Sequence, residues 1–285
     1  MKPGDVRGYD EGEQYISMWV HTIEDTPEGE AYKKSVERFN EKYDGTYFAD
    51  IEFIPRNDSG GGYSDKINAS VGGDLVSISE DGLTADGYFN SDKNAAVFQY
   101  FRGLVENKYM SATPIENLFE SGRAAFKFDG AWEVNTIYQS YSDIDLGVAP
   151  YIVSDNWDGG RYTPTGSWAY AATTKTEHIE AATELVKWMS GVDSGVLLYE
   201  NTKSMPSTYA AYDQITAFEE DENYKALYEQ LRDYGHPRPK TPVYPQVSTS
   251  FQQVLEDVGL SGKDVQIEMN QSIERINAKL ERYTR

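Results

Sequence analysis

The side chains best equipped for proton transfer or metal binding are few and scattered. Histidine occurs at positions 21, 178 and 236, in three unrelated contexts. The chain contains no HExxH, GxSxG, phosphate-loop or GxGxxG sequence, so the signatures of zinc proteolysis, serine hydrolysis and nucleotide binding are missing. It has no cysteine, which removes thiolate catalysis, thiolate-held metals and disulfides together and leaves the compartment open. The stretch SDNWDGG (Ser154 to Gly160) carries two acids, Asp155 and Asp158, but it lacks the spacing and closing glutamate of a calcium loop. Any two of the 47 acidic residues could meet as a glycosidase pair, and nothing singles out such a pair. These residues predict no catalytic group, no metal and no cofactor.

A different chemistry remains. Aromatic residues make up 13% of the chain, mostly tyrosine (22 residues), with 5 tryptophans. Trp19 sits at the end of a β-rich run, Trp132 just after Asp129-Gly130, and Trp168 just after Thr165-Gly166. In parallel α/β sheets, ligands bind beyond the carboxyl ends of strands. Trp19 and Trp132 occupy that kind of position, whereas Trp168 would open a strand. A flat apolar face with a polar edge suits polar ligands that carry apolar patches, such as sugars. Each ring is equally suited to covering a core edge. The three together turn the reading toward a site.

The elements that must position these rings follow from periodicity. YISMWV (Tyr15 to Val20) reads as a buried strand. Thr26 then Pro27 predicts a helix N-cap with proline at the first helical position, and Tyr32, Val36 and Phe39 recur at helical spacing behind it. YFADIEFIP (Tyr47 to Pro55) alternates with period two, which completes the opening of a βαβ unit in a mostly parallel sheet. A helix that begins at Asp65 is cut short near Ser70, and a polar loop or small hairpin follows. Asp92 to Tyr109 predicts a helix with Val97, Phe101 and Leu104/Val105 on one face. IENLFESG predicts a short helix stopped by Gly122, and AAFKFDG, IDLGVAPYIV and SWAYAATT predict strands. EHIEAATELVKWMSG predicts a helix with Ala182, Leu185, Val186 and Met189 inward, ended by Gly191. From Pro206 the chain reads as mainly helical, with Phe251, Val254, Leu255 and Val258 on one helix and Met269, Ile273, Ile276 and Leu280 on another.

The totals bound the partners. At 285 residues the chain is long enough for two domains. A net charge of -21 argues against nucleic acid and anionic lipid as surface partners, because a basic patch would have to form against the overall field. No stretch approaches the ~20 apolar residues of a membrane span. The polar, glycine-rich residues 1–14 read as a flexible N-terminal tether rather than a signal peptide.

Several segments, in order, resemble the extracellular solute-binding proteins of ABC sugar importers, the maltodextrin-binding-like group. ISMWVHTIEDTPEGEAYKKSVERFNEKY resembles that family's first strand, ligand loop and helix, and YSDKINASV its next helix. GGDLVSISEDGLTADGYFNSDKNAAVFQYFRGLV is similar to its GG-x-L … FNS-x-x-A segment, and FESGRAAFKFDGAWE to its F-x-x-G-x-A-A-M-x-x-x-G-x-W signature. LGVAPYIV, TPTGSWAYAATTKTEHIEAATELVKWMSG and HPRPKTPVYPQVSTSFQQVL resemble the elements that close the family's chain. Between Ser70 and Gly72 a Pro-Asp-Val strand, a hinge crossing and the first half of a second lobe are absent, a block on the order of a hundred residues. Either the block is deleted or two segments are joined across it.

The resemblance implies an α/β, two-lobed periplasmic-binding-protein-like fold of type II with the second lobe incomplete. Lobe one would hold 15–70 and 131–203, and lobe two 72–130 and 204–285, with the chain crossing between them at Asp129-Gly130. The lost block would leave an exposed sheet edge and a weakened core in lobe two. The resemblance also implies a monomeric, non-enzymatic receptor that closes by a hinge around a mono- or oligosaccharide and delivers it to ABC permease subunits. It would be extracellular, lipid-anchored or periplasmic. Trp132 would then be a stacking platform for a pyranose ring and Trp168 a second, with Trp19 and Tyr244 as further platforms. Glu24, Asp25, Glu133 and Arg238 would line the rim, since carboxylates accept hydroxyl protons and a guanidinium donates in a fixed fork. The alternatives are a secreted carbohydrate-active enzyme, which requires an acid–base pair, and an engineered fragment of a solute-binding protein.

Overall fold

The computed structural model describes residues 8–10, 12–54, 77–111, 115, 117–151, 162–166 and 169–283. The chain divides into two compact units. Unit 1 comprises Met1–Asp58, Gly130–Val148 and Ser167–Tyr228, and unit 2 comprises Ser59–Asp129, Ala149–Gly166 and Glu229–Arg285. The short helix expected from Asp65, the SDNWDGG stretch and Trp168 lie outside the described residues. No helix among the described residues is long and apolar enough to cross a membrane.

Unit 1 is built on a parallel pair, β1 (Gln14–Val20) and β2 (Tyr47–Phe53), joined by helix α1 (Pro27–Lys42). Register runs from Gln14 opposite Tyr47 to Val20 opposite Phe53. Alternation puts Ile16, Met18 and Val20 into the core, where they meet Tyr32, Val36 and Phe39 of α1. The N-cap expected at Thr26 is present: its hydroxyl accepts the Gly29 N–H at 3.1 Å. Asn40 then ties α1 to β2, donating to the Ala49 carbonyl at 2.9 Å and accepting the Ala49 N–H at 2.8 Å. Helix α4 (Ile179–Met189) closes the core with Ala181, Ala182, Leu185 and Met189 buried. Val186, expected inward, is only half-buried, and the buried stripe passes through Ala181 instead. Helix α3 (Trp132–Ser140) buries Val134 and Ile137. Helices α5 (Val192–Thr202), α6 (Tyr209–Tyr212) and α7 (Ala217–Glu220) also belong to unit 1, as does the first part of α8 (Glu222–Tyr234).

Unit 2 is held by three helices, α2 (Asp92–Glu106), α9 (Tyr244–Gly259) and α10 (Val265–Leu280). The apolar faces expected on α9 and α10 are the buried ones, Phe251, Val254, Leu255 and Val258 against Met269, Ile273, Ile276 and Leu280. On α2 the buried face turns by about a residue from expectation: Phe98 and Phe101 are buried while Val97, Leu104 and Val105 are half-buried. Asn94 lies on this buried face. It is fully buried, and its amide donates to Ser77 Oγ and to the Tyr88 and Phe89 carbonyls at 3.1–3.3 Å. Phe101 lies so close to Gly259 that a Cβ there would overlap the ring. The sheet of unit 2, among the described residues, is one short parallel pair, β3 (Thr163–Thr165) with β4 (Gly235–Pro237).

Three expected strands are not strands. Ala124–Gly130, the described part of the Ile144–Val153 run and residues 169–173 are irregular, and residues 117–122 form turns rather than a helix. A strand persists only where a neighbour takes up its N–H and C=O groups. None of these segments finds that neighbour among the described residues.

Candidate functional site

In unit 1 the first candidate surface is the outer face of the β1–β2 pair. Side chains at paired positions of a parallel ladder point the same way, so Tyr15/Phe48, Ser17/Asp50 and Trp19/Glu52 line one face. Trp19 is 68% exposed, an uncommon state for so large a ring in a strand. Tyr15 and Phe48 stack at 6.4 Å with planes 13° apart, and the Tyr15 hydroxyl donates to Asp50 Oδ2 at 2.9 Å. Burial, then the bond to Asp50, pushes the Tyr15 phenol up to about 12. Glu52, opposite Trp19, is a carboxylate that sequence reading passed over. The matching alternations of QYISMWV and YFADIEF contain it once their register is known.

The loop that leaves β1 carries Glu24 and Asp25, and its backbone is braced from below. Buried Thr22 donates to Glu28 Oε2 at 2.9 Å, while Tyr32 donates to Glu28 Oε1 at 3.3 Å. Thr26 donates to the Ile23 carbonyl at 2.7 Å. A Cβ on Gly29 would fall 2.5 Å from that same carbonyl oxygen, so only glycine lets the loop settle on the first turn of α1. Both Glu24 and Asp25 are exposed. Glu24 Oε1 lies 3.7 Å from Lys33 Nζ, which also pairs with Glu30. The hydrogen bond to Glu30 raises the Lys33 ammonium above its ordinary value, with Glu24 and Asp25 adding to the effect.

Trp132 opens α3 rather than following a strand end, and it is 59% exposed. Its indole folds back across Gly130, where a Cβ would overlap three ring carbons. Glycine at 130 therefore makes room for the ring. Glu133 follows in the first helical turn, half-buried, where a carboxylate interacts favourably with the helix N-terminus.

The remaining candidates belong to unit 2. The Arg238 guanidinium carbon lies 5.4 Å from the Tyr244 ring centroid, a cation–π arrangement. A Cβ on Gly166 would sit 3.5 Å from that guanidinium, so β3, β4 and the start of α9 bring Gly166, Arg238 and Tyr244 together. His236, on β4, packs its ring 4.5 Å from Tyr162. Among the described residues no group of three metal-ligating side chains comes together. The described chemistry is therefore exposed aromatic faces with carboxylates and one guanidinium beside them.

Comparison with known proteins adds a family and a fold. Residues 30–226 match the family model described as bacterial extracellular solute-binding protein. No curated protein sequence matches the chain. Among solved structures, the cyclic alpha-maltosyl-1,6-maltose binding protein of Arthrobacter globiformis superposes with a TM-score of 0.71 at 14% identity, over 95% of this chain and 100% of that one. The maltose/maltodextrin-binding domain of Bdellovibrio bacteriovorus, bound to maltotriose, gives 0.70 at 14% identity over 94% and 100%. The GacH receptor of Streptomyces glaucescens, solved unliganded and with acarbose, gives 0.68 at 13% identity over 95% and 99%. At these identities the structural likeness establishes the periplasmic-binding-type fold alone.

Proposed function

The chain belongs to the bacterial extracellular solute-binding protein family, and we propose that its solute is a mono- or oligosaccharide delivered to the membrane subunits of an ABC permease. The observation that carries this reading is Trp132, a 59% exposed indole laid across Gly130 with Glu133 beside it. The C–H face of a pyranose packs on such a plane, and its hydroxyls require fixed acceptors and donors at the rim. Trp19, Glu24, Asp25, Glu133, Trp168, Arg238 and Tyr244 are the other contact residues of the proposal. Of three solved proteins of like fold, one is named for binding a cyclic maltosyl-maltose, one is solved bound to maltotriose and one with acarbose, which supports sugar as the class. The protein would act as a monomer, outside the cytoplasm, lipid-anchored or periplasmic, and without turning its ligand over.

Intrinsic tryptophan fluorescence titrated with a panel of mono- and oligosaccharides tests this, with product analysis on the same samples. The expected result is a saturable change with the sugar intact, lost in Trp132→Ala or Trp168→Ala. Cleavage of the sugar would move the protein to the enzymes. Silence across the panel would remove carbohydrate as the solute.

A further inference from the structure

Unit 1 holds a concavity separate in its lining from every residue proposed above. It is a cleft of about 380 Å³ between α3, the C-terminal end of α5, the segment 214–217 and the start of α8. That size falls at the lower end of the ~300–1,000 Å³ typical of ligand pockets, which suits a small ligand.

One wall is a fixed aromatic ring. Tyr138 on α3 is 41% exposed, yet its hydroxyl is clamped. It donates to Asp221 at 3.0 and 3.2 Å and accepts from Asn223 Nδ2 at 2.8 Å. Asn223 also donates to the Leu146 carbonyl at 2.8 Å and accepts the Val148 N–H at 2.7 Å. Asp221 Oδ1 takes the backbone N–H groups of Asn223 and Tyr224 at 2.8 and 3.1 Å, which caps α8. The hydroxyl is therefore held by two residues, and the ring meets Tyr224 in an edge contact at 6.1 Å, while 41% of the residue stays exposed, a preorganised state that lowers the ordering cost of binding. In the same wall Tyr224 is 4% exposed, and its hydroxyl has no hydrogen-bond partner among the described residues.

The opposite wall contains a backbone outlier. Lys203 ends α5 in the left-handed conformation, φ 58° and ψ 20°, a position where glycine is the usual occupant. Its ammonium lies 4.9 Å from the Tyr199 ring centroid and donates to the Glu200 carbonyl at 3.3 Å. The local backbone would be better served by glycine, and the long side chain reaches the cleft instead.

We propose that this cleft is a second binding subsite for a neutral polyhydroxylated ring, with Tyr138 as stacking platform and Lys203 as hydroxyl donor. The charge pattern selects the class. The Asp221 and Glu200 carboxylates disfavour an anion. Lys203 already occupies the face of Tyr199 that an organic cation would take. What is left for a ligand is an open ring, the side-chain amides of Asn135 and Gln214, and one ammonium.

The subsite is tested by amide chemical-shift titration of the full chain with glucose and maltotriose, with choline as a control. Saturable shifts at Tyr138, Tyr199 and Lys203 are expected with the sugars and none with choline. Lys203→Gly separates function from structure because the two roles move it in opposite directions. The urea midpoint is expected to stay or rise, while the cleft affinity falls about tenfold with the loss of a charge-assisted hydrogen bond. Tyr138→Ala is expected to abolish the cleft shifts. Absence of saturable cleft shifts, unchanged affinity in Lys203→Gly, or shifts with choline alone would each overturn the proposal. Sugar-induced change confined to Trp132 would overturn this subsite and leave the receptor reading standing, and silence at both would overturn both.

Discussion

Replacing Gly130 by alanine tests the Trp132 platform more sharply than removing the indole. Gly130 does not use the left-handed backbone region, so alanine introduces no backbone strain there. Its Cβ would, however, overlap the far carbons of the Trp132 ring, so the ring must swing away. Because the ring is already 59% exposed, moving it sacrifices little buried area. Stability should therefore hold or rise, by about 0.4–1 kcal/mol, through the reduced freedom of the unfolded chain. Stacking on an aromatic plane contributes about 0.5–1.5 kcal/mol beyond burial, so sugar affinity should fall about 2- to 12-fold. Urea unfolding paired with a maltotriose titration followed by tryptophan emission reads both quantities. A variant that loses stability and affinity in step would make Gly130 a structural residue. One that retains wild-type affinity and emission would refute the platform itself.

Other perturbations check the supports around the site. Thr22→Val removes the donor to Glu28 Oε2 beneath the Glu24–Asp25 loop, and should cost about 1 kcal/mol in urea unfolding while weakening sugar binding. Gly259→Ala forces a methyl into the Phe101 ring; overpacking of this kind costs about 1–3 kcal/mol and should lower the thermal midpoint of unit 2. Alkaline pH probes the tyrosines. Burial pushes Tyr15 and Tyr199 up to about 12 from 10.0, so the folded state favours their protonated forms. Their stabilisation is complete below pH 10.0 and lost as pH rises through about 12, which urea midpoints together with tyrosinate absorbance should track.

Much of the fold was legible because its signals are local. The Thr26-Pro27 start and the Tyr32, Val36, Phe39 spacing specify α1 within a single segment, as Phe251 to Val258 and Met269 to Leu280 specify α9 and α10. The expected strands at Ala124–Gly130, Ile144–Tyr151 and 169–173 were misread for the complementary reason. Their apolar content is real, but a strand is completed by partners from elsewhere in the chain. At α2 the inward face includes the buried amide of Asn94, held by contacts with Ser77 and Phe89 that apolar spacing does not register.

The candidate residues divide along the same line. Residue type alone marked Trp19 and Trp132 as rings at element ends, and the ordered segments carried the family. Register decided that Glu52 lies opposite Trp19, and close approach decided that Gly130 accommodates the Trp132 indole. The clamp on Tyr138 joins residues 138, 146, 148, 221 and 223, a combination invisible to any window along the chain. By itself the sequence determined α1, α4, α9 and α10, the absence of recognisable catalytic and metal motifs, and family membership, because each is encoded in residues close together or in their order. Tertiary structure decided which strands pair, which rings remain open and where Lys203 reaches, because those outcomes depend on hydrogen bonds and steric contacts between residues far apart in the chain.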